Sequence, residues 1–225
     1  MPRPVRRRLP RRICTIPSDL PVFHPGYLPP ALRQQIRRRF NPGAIFLNIP
    51  YAPHYTRFEL ALISTATAYG LDPVMAKQRV VFDVRFKRIM EMICSCGLGV
   101  TDLSYATRMN MPLELGIMLA LGKNCFVVSR RRYSALQSVS DLNLGDVRYH
   151  EGNPHRLVRD FSRWIESNCS RKQFTLDELI QRYEVLVRLR RLLGSDDFDR
   201  LSPREISAML RIARSTMRIR VPASP

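Results

Sequence analysis

The sequence predicts a doubly wound α/β domain with a mostly parallel, five-stranded sheet, followed by an all-helical C-terminal appendage. Three observations predict this fold class. Short apolar runs alternate with amphipathic stretches over residues 44–168, as in consecutive βαβ units. Proline and arginine dominate residues 1–42, whereas residues 174–220 show helical patterns without strands. The chain therefore divides into a basic arm, an α/β domain and a helical appendage, with these three ranges as their bounds.

The arm at residues 1–42 has little apolar surface to offset the entropy of ordering its chain. It holds nine of the seventeen prolines, and ten arginines against one acid, Asp19. Residues 31–40 within it have the pattern of a short basic helix. An arginine-rich, acid-poor start also occurs in transit peptides, although those are rich in serine rather than in proline. We expect most of this arm to be poorly ordered.

The predicted strands are short apolar runs, and the predicted helices repeat apolar residues every three or four positions. The strands cover residues 44–49, 73–76, 98–102, 124–129 and 147–150. The helices cover residues 55–69, 84–96, 112–121 and 154–167, and glycine follows three of them, as helix C-termini favour. Strands that are joined by helices pair in parallel through right-handed crossovers.

The appendage contains two predicted helices. The first covers residues 176–193 after Thr175, a favoured N-cap, and carries an apolar stripe suited to docking. The second follows Ser202, which forms a capping box with Glu205. We expect the appendage to serve packing or oligomerisation. Residues 201–206 also faintly resemble the opening of a helix-turn-helix DNA-binding unit, and basic residues continue to Arg220.

The net charge of +18 is concentrated at the two ends of the chain. Residues 1–42 hold +9 and residues 171–225 hold +5, whereas residues 43–170 hold only +4. The near balance of the central block indicates that no basic groove runs through the α/β domain. The basic ends could contact nucleic acid or an acidic partner, or could simply face solvent.

Cysteine usage and hydropathy predict a cytoplasmic protein without a metal, a disulfide or a cofactor. Cys94 and Cys96 are one residue apart, which is neither a metal-knuckle spacing nor a redox spacing. The four histidines are scattered, and this usage fits a reducing compartment. No apolar run approaches the roughly 20 residues of a membrane span. No apolar segment of a signal peptide follows the basic start either.

Polar residues cluster where the predicted strands end, which is where ligands bind in open parallel sheets. Asp102 ends the third strand, and Glu114 falls in the first turn of the next helix. The helix dipole stabilises a carboxylate there as an anion, as a nucleophile or a hydroxyl acceptor requires. A second carboxyl group nearby can protonate a leaving base. The simpler interpretation is that Glu114 caps its own helix and that Asp102 orders the following loop.

Residues 110–124 read N-M-P-L-E-L-G-I-M-L-A-L-G-K-N. They resemble the signature of the nucleoside 2-deoxyribosyltransferase family, in which an E-L-G triplet opens a helix and a G-K pair closes it before an apolar strand. The opening F-L-N-I-P-Y at residues 46–51 is also similar to the first strand and loop of that family, in particular of its uncharacterised bacterial members. The likeness covers residues 44–168. It implies a Rossmann-like or flavodoxin-like layout, which TIR-type NAD-cleaving domains share.

The resemblance implies cleavage or transfer at the N-glycosidic bond of a nucleoside, a nucleotide or NAD. Glu114 would attack the anomeric carbon and Asp102 would handle the leaving base. Tyr51 would orient the nucleophile, with Tyr55 as second choice. The substrate-binding candidates are Asn48, Tyr55, Ser104, Arg108 and Asn110.

Arg108 stands where the family has a small, glycine-containing loop. It suggests a phosphate on the substrate, although a solvent-facing arginine is the alternative. Residues 130–132, three arginines after the fourth strand, could bind phosphate or an acidic partner, and a solvated loop is the simpler interpretation. By analogy with the family, neighbouring copies in a homo-oligomer could complete the pocket, and the sequence leaves the oligomeric state open. The competing hypothesis for the whole chain is a non-catalytic nucleotide-binding module whose basic ends contact nucleic acid or a protein.

Overall fold

The computed structural model describes residues 29–76, 82–104, 110–131, 147–169 and 174–218. For residues 82–85 and 213–218 it describes the backbone alone. Five strands form one sheet in which all neighbouring strands are parallel, in the order β2-β1-β3-β4-β5. They are β1 (Asn41–Asn48), β2 (Asp72–Val74), β3 (Cys96–Asp102), β4 (Asn124–Ser129) and β5 (Arg148–Tyr149). The prediction of a doubly wound α/β fold is confirmed.

Helices cover both faces of this sheet. They are α1 (Pro30–Arg39), α2 (Thr56–Ala68), α3 (Phe82–Ser95), α4 (Asn110–Ala120), α5 (Pro154–Cys169), α6 (Leu176–Leu193), α7 (Ser195–Arg200) and α8 (Pro203–Arg218). A single 3₁₀ turn, Pro53–Tyr55, leads into α2. The predicted helices α2 to α6 appear within a few residues of their expected bounds. The short α7 was not predicted, because Phe198 is its only buried residue.

Side chains alternate between two cores on either side of the sheet, as strand geometry requires. Ile45 and Leu47 of β1 pack under α2 and α5, together with Leu98 and Val100 of β3. Phe46 of β1 lies in the other core, together with Ile36 of α1, Ile93 of α3 and Leu115 of α4. Odd-numbered and even-numbered residues of β1 therefore face opposite sides of the sheet.

The C-terminal helices form a third layer outside α2. Leu179 and Leu186 of α6 are buried in the same core as α2, and so are Ile206 and Leu210 of α8. Helix α2 is therefore enclosed between the sheet and the appendage, which explains why its residues 59–67 are all buried. The apolar stripe predicted on α6 does dock, and it docks on this chain.

The end of the arm forms the short basic helix that its sequence indicated at residues 31–40. Residues 30–39 form α1, and Ile36 is 0% exposed within the core of α3 and α4. Leu32 packs against the same core, and Arg39 donates to the Glu91 carboxylate of α3 at 2.7 Å, so several contacts hold this basic helix. Strand β1 also begins at Asn41 rather than at residue 44. Residues 1–28 of the arm lie outside the described residues.

Within the described ranges, no helix is both long enough and apolar enough to cross a lipid bilayer.

Candidate functional site

The strand order reverses between β1 and β3, because β2 lies on one side of this pair and β4 and β5 lie on the other. Ligands of doubly wound sheets bind beyond the carboxyl ends of the strands at such a reversal. Asn48 ends β1 and pairs in register with Thr101 of β3. Asp102 follows directly and ends β3. Two of the residues predicted for the site therefore flank the switch point.

Asn48 links the end of β1 to the start of α4. Its side-chain amide donates a hydrogen bond to the carbonyl oxygen of Met111 at 2.8 Å and lies 3.4 Å from the Thr101 hydroxyl. The side chain is 3% exposed, so this amide is a structural tie as well as a candidate ligand-binding group. Glu114 is three residues beyond Met111, about 4.5 Å further along the helix axis. The hydrogen bond from Asn48 to Met111 therefore fixes the position of Glu114 along the helix axis relative to the sheet edge.

Glu114 does not lie in the first turn of its helix, and the prediction that placed it there is wrong. Helix α4 begins at Asn110, two residues earlier than predicted, and has no acid in its first turn. The prediction started the helix at Pro112, but proline is tolerated throughout a first turn and so does not mark its beginning. The dipole stabilisation of an anion falls off beyond the first turn, so it contributes less to Glu114 than expected. The side chain is half-buried.

Asp102 is the centre of a buried polar network. It is 0% exposed. Its Oδ2 accepts a hydrogen bond from the Tyr55 hydroxyl and lies 3.2 Å from Nε2 of His150. Its Oδ1 accepts the backbone N–H of Ser104 at 2.7 Å. The carboxylate thus joins β3, the turn before α2 and the residue after β5.

His150 is held in one tautomer by the turn that follows it. Its Nδ1 accepts the backbone N–H of Gly152 at 3.2 Å, so the ring proton belongs on Nε2, which faces Asp102. Glu151 and Gly152 have φ values of 52° and 77°, and the turn closes where Asn153 N–H donates to the His150 carbonyl at 2.8 Å. The Phe58 ring packs on the imidazole with centroids 4.5 Å apart. This arrangement fixes the orientation of the imidazole.

Ser104, His150 and Asp102 do not form a nucleophilic triad. In such a triad the carboxylate and the serine contact opposite ring nitrogens of the histidine. Here Asp102 Oδ2 and Ser104 Oγ both approach Nε2, at 3.2 and 3.4 Å. The Ser104 hydroxyl also accepts the backbone N–H of Arg130 at 2.6 Å, and the residue is buried. Ser104 therefore joins the loop after β3 to the loop after β4.

The two candidate tyrosines have different environments. Tyr55 is buried and donates to Asp102, a contact that no sequence pattern indicated. Tyr51 is 41% exposed, and its hydroxyl accepts the backbone N–H of Ala76 at 2.9 Å, just beyond β2. The assignment of Tyr51 as the residue that orients Glu114 stays a prediction.

Asp102 and Glu114 lie on opposite faces of the sheet. Asp102 lies two residues after Val100 and four after Leu98, so its side chain faces the same side of the sheet. The side chains of Leu98 and Val100 face α2 and α5. Helix α4 covers the other face, where a side chain at Gly99 would collide with Met118. The two carboxylates therefore do not face a shared crevice within one layer, and Asp102 is fully buried beneath the carboxyl edge.

The remaining predicted residues border this edge. Asn110 is exposed at the start of α4, and Arg130 and Arg131 are exposed after β4. Arg108 and Arg132 lie outside the described residues. A cleft of about 220 Å³ between α2, α3 and α8 has neither Asp102 nor Glu114 in its lining.

Neither His150 nor Lys123 was predicted as a site residue. His150 directly follows β5, so the rule that selected Asp102 and Asn48 could have found it too. Lys123 belongs to the G-K pair of the family motif, but it lies at the amino edge of the sheet. There its buried ammonium group donates to the Cys96 carbonyl and lies 5.9 Å from the centre of the Phe40 ring. The second half of the motif is therefore structural in this chain.

Among residues 29–76, 82–104, 110–131, 147–169 and 174–218, no group of three or more histidine, cysteine or acidic side chains could hold a metal ion. The chain matches no protein-family model, and comparisons with curated proteins and with solved structures likewise gave no match.

Proposed function

We propose that this chain binds a nucleotide-type molecule at the carboxyl edge between β1 and β3 and breaks or transfers its N-glycosidic bond. Glu114 is the acting carboxylate. The observation that carries the proposal is the bond from the Asn48 amide to Met111 O, 2.8 Å long, which holds the E-L-G helix against the switch point. The E-L-G sequence itself and the strand order support the same assignment.

Glu114 would act on the sugar. The bond between the anomeric carbon and the base nitrogen breaks, and its electron pair leaves with the base. The carboxylate either stabilises the oxocarbenium-like sugar or forms an ester with it, and water or a second base then takes the sugar. These two acceptors correspond to hydrolysis and to transfer.

Asp102 would contribute as a positioning residue. Because it is fully buried and both its oxygens accept hydrogen bonds, it does not itself contact a ligand in this arrangement. It would hold Tyr55 and His150 in place under the edge instead. The proton for the leaving base would then come from water or from a group at the open edge, which differs from the role that the resemblance implies for Asp102.

The proposal is tested by incubating the purified chain with NAD and a panel of nucleosides and nucleotides and measuring base release by chromatography. We expect Glu114→Gln to reduce turnover by roughly 10²-fold or more, since a carboxylate that stabilises the transition state is lost. Glu184→Gln, an exposed carboxylate on α6, is the matched control and should leave turnover unchanged. Equal turnover by the Glu114 variant and the wild type would overturn the assignment.

The burial of Asp102 favours a second candidate function, a nucleotide-binding module without catalysis. A network whose hydrogen bonds are already satisfied supports a fixed binding surface as well as it supports an active site. This alternative predicts that a nucleotide raises the melting temperature while no base is released. Glu114→Gln would then change the thermal shift but no reaction rate.

A further inference from the structure

A groove of about 680 Å³ lies between α5 and the β4–β5 edge of the sheet. Four arginines line it, and Asp160 is the one acid among its described lining residues. The arginines are Arg148, Arg156, Arg159 and Arg163. We call this feature the arginine groove. It shares none of its described lining residues with the carboxyl-edge site, so a ligand in the groove is independent of the proposed function.

Helix α5 builds one wall of the groove by separating its charges from its apolar residues. Arg156, Arg159 and Arg163 follow each other at intervals of three and four residues and so share one side of the helix. Leu157 and Phe161 belong to the core on the other side. The arginines therefore recur about once per helical turn, roughly every 5 Å, along the groove.

Asp160 holds two of these arginines without neutralising the groove. Its carboxylate lies 3.2 Å from the guanidinium of Arg159 and 3.9 Å from that of Arg156. Arg156 also pairs with the exposed Glu151 at 2.8 Å. Among the described residues that line or border the groove, four arginines face two acids, Asp160 and Glu151, and Arg163 is exposed. The groove keeps an excess of positive charge with oriented guanidinium groups.

This clustering corrects the prediction that the near balance of residues 43–170 leaves no basic groove in the α/β domain. The net charge of a domain sums over all of its surfaces. The charge of one groove depends only on the side chains that line it. The basic residues of α5 share one helix face, while acids such as Asp102 and Asp72 belong to other parts of the domain.

The groove also offers aromatic and amide groups. Tyr149 of β5 and Trp164 of α5 are half-buried in its lining, and Asn124 and Asn168 also line it. Trp164 packs on Phe126, with ring centroids 5.7 Å apart, which fixes its ring. From Arg156 to Asn168 the helix is about 18 Å long, comparable with roughly five nucleotides of a stacked strand.

We propose that the arginine groove binds single-stranded nucleic acid. Planar guanidinium groups bind phosphate oxygens in a bidentate manner, and spaced cations follow a backbone of regularly repeated phosphates. Tyr149 offers a ring on which a base can stack, which is the second element of sequence-independent single-strand binding. An acidic peptide would satisfy the charges but would leave the aromatic lining without a specific partner, so the nucleic acid fits the groove better.

The test uses the full-length chain and a fluorescein-labelled 12-nucleotide oligo(dT), with binding followed by fluorescence anisotropy at several salt concentrations. Arg159→Ala combined with Arg163→Ala should weaken binding at least tenfold. It should also lower the salt slope by about 1.4, the value for two lost single-strand phosphate contacts. Arg188→Ala combined with Arg191→Ala removes the same charge from exposed positions of α6 and should weaken binding less than threefold. The basic arm is present in every variant and cancels in the comparison.

Tyr149→Leu separates a nucleic-acid site from a general anion site. It should weaken oligonucleotide binding several-fold and leave the binding of poly-glutamate unchanged. Melting curves confirm that each variant is folded. The proposal is overturned if both double variants lose affinity equally, if poly-glutamate of equal charge displaces the oligonucleotide as well as unlabelled oligonucleotide does, or if the wild type does not bind at low salt.

Discussion

His150 donates to Asp102 through Nε2 across 3.2 Å, while the backbone N–H of Gly152 occupies its other ring nitrogen. The carboxylate that receives this bond is fully buried and also accepts from Tyr55 and from the Ser104 backbone. Buried polar groups are tolerated only when such bonds satisfy them. The network therefore joins the ends of β3 and β5 to the start of α2, and its integrity is a condition for any site at this edge.

Asp102→Asn tests whether this network stabilises the fold. The amide NH₂ would face at least one of the donors that now meet a carboxylate oxygen, leaving a buried donor unsatisfied. We expect the free energy of unfolding to fall by about 1–3 kcal/mol, measured by urea denaturation. Glu184→Gln, at an exposed position in the middle of α6, should leave it unchanged. A wild-type value for the Asp102 variant would contradict the hydrogen-bond assignment.

A pair of tyrosine variants distinguishes the two candidate aromatic residues. Tyr55→Phe removes a donor from the buried carboxylate and should cost about 1–3 kcal/mol of unfolding free energy. Tyr51→Phe removes an exposed acceptor of the Ala76 N–H and should cost less than about 1 kcal/mol. If Tyr51 orients Glu114, as the resemblance implies, base release should fall in Tyr51→Phe without a matching loss of stability. Unchanged base release in that variant would remove Tyr51 from the site.

The fold was predictable because its signals are local and repeated. Each buried strand is a short apolar run, and each helix carries its own periodicity, so alternation alone indicated parallel βαβ units. Side chains alternate between the two faces along each strand. The two cores are therefore predictable once the pairing of the strands is known. Helix α1 was indicated only as a short basic helix, because arginines dominate its composition. Its docking through Ile36 and Leu32 was not predicted, since these two apolar residues are too few to mark a buried face.

The site was predictable only in outline. Strand-end positions placed Asn48 and Asp102 at the carboxyl edge of the sheet, because chain order fixes which edge they occupy. Which groups contact each other is a long-range property that no spacing encodes: Tyr55 is 47 residues from Asp102 and His150 is 48 residues from it. The start of α4 was misplaced by two residues, which was enough to move Glu114 out of the first turn.

The buried thiols at the amino edge should be protonated and slow to react. Burial raises the pKa of Cys94 to about 11 and that of Cys96 to about 12, although the nearby Lys123 ammonium partly opposes the shift. At pH 8 both should react with a thiol reagent far more slowly than the half-buried Cys125 and Cys169 do, because the thiolate is the reactive form. Labelling followed by peptide mass spectrometry measures this order. Fast modification of Cys96 in the native state would contradict it.

The same raised pKa values predict a loss of stability at high pH. A thiol that ionises less readily in the folded state lets folding retain a proton that the unfolded chain releases. This stabilising contribution is complete below about pH 9, the ordinary pKa, and declines as the pH rises through 11 to 12. Unfolding free energies measured between pH 8 and pH 11 should therefore fall less steeply in Cys94→Ala combined with Cys96→Ala than in the wild type. Equal slopes would show that the thiols do not contribute.

Two glycine variants test opposite consequences of the packing around β3 and α4. A Cβ at Gly97 would overlap the backbone carbonyl oxygen of Pro42, which belongs to β1 and cannot swing aside as a side-chain end could. Gly97→Ala should therefore destabilise the chain by roughly 1–3 kcal/mol, as overpacking does. Gly116 lies within α4 with open space around its would-be Cβ, so Gly116→Ala should stabilise the helix by up to about 1 kcal/mol. Urea denaturation of both variants checks the contrast. Stabilisation by the first or destabilisation by the second would mean that β1, β3 and α4 do not approach each other as described.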